Sequence, residues 1–67
     1  MRPNGAAIKA LRTTHQVSLR CFAQLIDRDH VFLHRIESGE RGASPETLQR
    51  IAAALDVPVA AITRENP

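Results

Sequence analysis

Sixty-seven residues are enough for one small domain, whose core is marginal unless its elements are regular or the protein self-associates. With two Phe as the only aromatic residues, the interior has to come from Leu, Ile, Val and Ala, a set suited to closely packed helices. A lone Cys21 excludes an intramolecular disulfide, and neither a signal-peptide pattern nor an apolar run of ~20 residues is present, so a cytosolic protein that does not span a membrane is expected.

The formal charge of +2 is unevenly placed. Residues 1–36 carry six basic against two acidic side chains, and residues 37–67 three against five. That asymmetry suits a protein with one side facing a polyanion. Eight of the nine basic residues are Arg, which favours bidentate recognition of phosphates and guanine edges; a GC-rich coding sequence produces the same bias.

In chain order, residues 1–5 read as a flexible N-terminal arm, because Pro3, Asn4 and Gly5 discourage a helix. Ala7, Ile8 and Leu11 then mark a first helix over residues 6–14, followed by a connector through residue 16. Ser18 is a natural N-cap for a second helix, with Val17 and Phe22 placed as a hydrophobic staple. Leu19, Phe22, Ala23 and Ile26 give that helix one buried stripe, and it must stop near Asp27. Asp29 is the next cap, Leu33 and Ile36 form the seam of a third helix, and Gly39 ends it in a left-handed conformation.

Ser44-Pro45-Glu46 combines a cap, a first-turn proline and an acid at the positive end of the helix dipole. The fourth helix places Leu48, Ile51, Ala52 and Leu55 on one face; Val57-Pro58 breaks it. One more short helix fits residues 58–63, with Val57 and Ile62 expected in the core and Val59 open between core and a dimer seam. No strand-like alternation appears, so the expected architecture is a single all-α domain over residues 1–67, a compact bundle of four to five helices around one core.

The central stretch resembles the helix-turn-helix family of phage repressors and Cro proteins, often called XRE-like. The resemblance rests on Phe22, Ala23 and Ile26 in one helix and Leu33 and Ile36 in the next. It extends to the run Leu33-His34-Arg35-Ile36-Glu37-Ser38-Gly39-Glu40-Arg41 and to the fourth-helix pattern from Ser44 to Leu55, covering about residues 6–62. It implies a repressor-like DNA-binding domain with the helix-turn-helix motif at residues 18–38. Three positions depart from the pattern. Leu19 stands where a phosphate-contacting Gln is common, Asp27 where Gly is usual, with a turn strain of ~1 kcal/mol, and Arg28 where a small or apolar residue is common.

The resemblance further implies that the helix at about residues 29–38 enters the major groove of double-stranded DNA. His30, Val31 and Arg35 then face the bases, with Asp29 and His34 at the margin. Arg35 suits guanine O6 and N7, Val31 a thymine methyl, and His30 a contact that weakens as pH rises through the histidine range. Arg20, Arg28, Ser38 and Arg41 are candidate phosphate contacts. Arg12 and Glu37 are expected to pair structurally between the first and third helices. Phe32 fits equally under the recognition helix or against the sugar-phosphate backbone.

His30 and His34, at i and i+4, lack a third ligand at suitable spacing, and no phosphate loop or nucleophile-base pairing is visible, so neither a metal, a cofactor nor an enzyme is expected. The expected function is sequence-specific regulation as a homodimer on a palindromic operator. The rival reading is an antitoxin or accessory module whose main partner is another protein.

Overall fold

A computed structural model describes residues 2–64. It contains helices α1 (Gly5–Thr14), α2 (Leu19–Leu25), α3 (His30–Ser38) and α4 (Pro45–Leu55), then a 3-10 turn at Val59–Ile62. Two dipeptide strands, β1 (Arg2–Pro3) and β2 (Thr63–Arg64), pair antiparallel.

Each helix begins where a short polar side chain can take up an orphan amide. Ser18 accepts from Cys21 N at 3.1 Å, Asp29 from Val31 N at 3.2 Å and Ser44 from Thr47 N at 3.2 Å. Gly39 ends α3 at φ 85°, the left-handed geometry in which a side chain is strained. Asp27 and Asp56 stop α2 and α4 in the same region, both at φ 57°, and Gln16 adopts φ 58° in the first connector. An aspartate tolerates this conformation better than most residues, which lets Asp27 turn the chain without glycine.

The expected free arm at residues 1–5 is corrected over residues 2–5, Met1 lying outside the described residues. Arg2 and Pro3 pair with Arg64 and Thr63, Asn4 N donates to Ile62 O at 2.8 Å, and the Asn4 side chain caps α1 by accepting from Ala7 N. Gly5 opens α1 instead of delaying it. It is buried, and a Cβ there would collide with the Glu37 carbonyl and come within 2.5 Å of Ile36 O. Glycine is therefore what allows the start of α1 to lie against the backbone of α3.

The apolar stripes meet in one core. Ile8 of α1, Phe22, Ala23 and Ile26 around α2, Leu33 and Ile36 of α3, four residues of α4 and Ile62 are all buried. Burying each large side chain contributes about 1.5–3 kcal/mol, spent against the ordering entropy of a short chain. Val17 and Leu19 pack on the edge of this core, as do Val57 and Val59, which leaves Val59 half-buried beside Ile62. Small Ala23, 2% exposed, lies where α2 and α3 pack closely, so the angle between the two motif helices is set by the core.

Candidate nucleic-acid interface

α3 is two-faced by its own helical spacing. Leu33 and Ile36 are fully buried, while Val31, His34, Arg35 and Ser38, spaced i, i+3, i+4 and i+7, form an exposed stripe on the opposite side. Val31 is 44% exposed, an uncovered valine on the outer surface. Arg35 shares this stripe, and no carboxylate among the described residues lies within ion-pair distance of it.

The start of α3 is more enclosed. His30 is half-buried, its Nδ1 3.5 Å from Asp29 Oδ1, while the other Asp29 oxygen accepts the Val31 amide. Asp29 thus has a structural task at the helix start, and its charge sits beside the imidazole. Arg20, Arg28, Asp29 and His30 line one shallow groove between α2 and α3, together with Gln24. Gln24 was not among the residues singled out from sequence, although its place four residues after Arg20 puts both on one face of α2.

Three proposed phosphate contacts are already engaged within the protein. The Ser38 hydroxyl is 2.7 Å from Glu40 Oε2 and 3.2 Å from Arg35 O, so its proton has an acceptor and a carboxylate stands next to it. Arg41 donates through Nε to Gly42 O at 3.2 Å and lays its guanidinium over the Phe32 ring, 4.2 Å from the centroid. Arg28 donates to Asp27 O at 3.0 Å and lies over the same ring at 5.9 Å. Phe32 itself is half-buried against the core, with both arginines within 6 Å of its ring centroid.

Behind the exposed face, Arg12 joins three elements. Nε donates to Glu37 Oε2 at 2.7 Å, a terminal nitrogen donates to Glu37 Oε1 at 3.1 Å, and the other donates to Val17 O at 2.8 Å. The two side chains are 10% and 5% exposed, and this planar bidentate contact locks α1 to α3. Among the described residues no buried polar side-chain atom is left without a partner, and no group of three His, Cys, Asp or Glu converges as a metal site.

A family model described as a helix-turn-helix domain matches residues 5–64. No curated protein sequence matches the chain significantly. Among solved structures, the chain is similar to the restriction-modification controller protein C.AhdI from Aeromonas hydrophila, with 28% identity, a TM-score of 0.82, and 85% of this chain and 86% of that one covered. It is also similar to the clp gene regulator ClgR from Corynebacterium glutamicum, with 32% identity, a TM-score of 0.81, and coverage of 84% and 60%. PlcR from Bacillus thuringiensis, solved in complex with the peptide PapR7 and DNA, is 30% identical with a TM-score of 0.79. There the match covers 90% of this chain but only 21% of PlcR.

Proposed function

Because this chain belongs to the helix-turn-helix domain family and is a DNA-binding regulator, we propose that it reads a specific duplex by laying α3 in the major groove. The family is of the DNA-binding regulator type and not an enzyme family. The observation that carries the reading is the exposed stripe Val31, His34, Arg35 and Ser38 directly opposite Leu33 and Ile36, so that the core itself presents this face outward.

Within this reading Arg35 pairs with a guanine edge, Val31 meets a thymine methyl, and His30 and His34 supply further base-edge donors, with Asp29 at the margin. Arg20, Arg28 and Arg41 hold the phosphates; Ser38 joins them only if its hydroxyl leaves Glu40. The protein acts as a homodimer on a palindromic operator, with half-sites one helical turn apart, ~34–36 Å. A cytoplasmic place of action goes with this reading.

A second reading, a protein partner, is favoured by one observation. Leu25 is 62% exposed beside Ala53 and Ala54 of α4, an apolar spot away from the α3 stripe. Selection of bound duplexes from a random library at fixed salt separates the two. Enrichment of a palindrome supports the operator reading; recovery of no preferred sequence, with a tight protein companion in pull-downs, supports the second.

A further inference from the structure

We infer that Phe32 is the positioning residue of the DNA-backbone contact, an aromatic platform that holds the Arg28 and Arg41 guanidinium groups on the flank of α3. The inference rests on the DNA-binding reading above and concerns a residue to which that reading gives no role. Both guanidinium carbons lie over one ring, at 5.9 and 4.2 Å, which puts them no more than about 10 Å apart. Neither has a carboxylate within ion-pair distance among the described residues. Each guanidinium has its attraction from the Phe32 ring and from one backbone carbonyl.

The arrangement leaves donors to spare. A guanidinium carries five N–H groups, and among the described residues each arginine donates one to a neighbouring carbonyl, so four on each are left for an acceptor outside the protein. Long exposed arginines ordinarily lose much rotamer freedom on meeting a phosphate. Stacking on Phe32 removes part of that freedom beforehand, and a fixed pair of cations is what a phosphate strand engages at lower entropic cost. Arg28 comes from the motif turn and Arg41 from the loop after α3, so the single ring ties together the two segments that bracket the recognition helix. Phe32 can do this because it sits at the border of the core, half-buried against it and within reach of both arginines.

The test is a double-mutant cycle on the 67-residue chain, read by fluorescence anisotropy with a 20-base-pair mixed-sequence duplex over a series of salt concentrations. Phe32→Leu keeps apolar volume and loses the ring face; Phe32→Tyr keeps both. The expected result is an about five- to tenfold loss of affinity for Phe32→Leu, from the strength of cation-π contacts, with a salt slope shallower by about one. Phe32→Tyr should bind like the wild type. Arg41→Ala should cost less in the Phe32→Leu background than in the wild type, and Phe32→Met, equally without a ring face, supplies the same comparison if Phe32→Leu does not fold.

Two outcomes overturn the inference. If the wild type binds this duplex and the Phe32 and Arg41 effects are additive, the platform idea fails while the DNA-binding reading stands. If the wild type binds no duplex even at low salt, both fail together.

Discussion

Arg12 and Glu37 meet in a two-pronged ion pair across the junction of α1 and α3, with donor-acceptor distances of 2.7 and 3.1 Å. The same guanidinium holds the Val17 carbonyl at the entrance to α2, so one side chain fixes the position of both motif helices relative to α1. Removing either partner strands a nearly buried charge, which costs more than the intact pair contributes. Arg12→Ala and Glu37→Ala are each expected to lower unfolding stability by about 2–4 kcal/mol, a large share of the total for a domain of this size. Replacing both together with Met and Leu should cost less than the two single changes added. Urea denaturation of the three variants checks this; near-zero losses in the single variants would show that the pair holds nothing.

Gly5 poses a contest between two effects of opposite sign. Helix propensity alone favours Ala over Gly by ~1 kcal/mol. The added methyl, however, would be driven into the Ile36 and Glu37 carbonyls, backbone groups unable to turn aside as a side chain would. Overpacking of this kind costs about 1–3 kcal/mol and here also pries α1 away from Glu37. Gly5→Ala is therefore expected to destabilise, whereas Gly42→Ala, where nothing lies within 4 Å of the new methyl, should be close to neutral. Thermal melts of the pair decide it, and a Gly5→Ala protein as stable as the wild type would mean that α1 slides away without penalty.

Asp27 occupies left-handed space that glycine enters freely and branched residues enter at a penalty. Asp27→Gly should raise stability by about 0.5 kcal/mol, the relief of strain being partly offset by the greater freedom of the unfolded chain. Asp27→Val should lower it by about 1–2 kcal/mol. Differential scanning calorimetry gives the order directly, and the reverse order would contradict the left-handed turn.

Glu40 places a carboxylate against the Ser38 hydroxyl at the end of the face proposed to meet DNA. Removing that charge should help a polyanion approach, so Glu40→Gln is expected to raise duplex affinity about two- to fivefold at low salt, with the gain shrinking as salt screens it. Ser38→Ala should change little while Glu40 is present. Filter binding at two salt concentrations tests both, and weaker binding by Glu40→Gln would indicate that Glu40 orders the loop for binding.

Arg35 and Arg20 should differ in kind as well as degree. Losing a base-reading arginine relaxes preference at one base pair by about 1–3 kcal/mol, whereas losing a phosphate contact weakens all sequences alike. Sequencing of selected duplexes with Arg35→Ala and Arg20→Ala proteins distinguishes them. An unchanged selected site with Arg35→Ala would remove that residue from the reading set.

What could be read in advance follows from the range over which each feature is determined. The caps at Ser18, Asp29 and Ser44 act within three residues, and the stripes through Phe22 to Ile26 and Leu48 to Leu55 repeat with the helical period, so both are written locally. The shared outward stripe of Val31, His34 and Arg35 is a consequence of the same spacing. Gly5 reads locally as a helix breaker because its reason for being glycine lies on α3, more than thirty residues along the chain. The ladder at Arg2–Pro3 is too short to show alternation. The engagement of Ser38 by Glu40, and of Phe32 by Arg28 and Arg41, depends on where flexible side chains come to rest, which no spacing rule encodes.

The pairing of Arg2 with Arg64 brings the two ends of the described residues side by side. Joining these neighbouring segments with a short linker and opening the chain in the exposed stretch 40–42 would give a permuted protein that keeps the packing of the four helices on one core but loses the loop that carries Arg41. Seen this way, the order in which the helices are synthesised is separable from the angle at which they meet, and it is that angle that sets the outward face of α3.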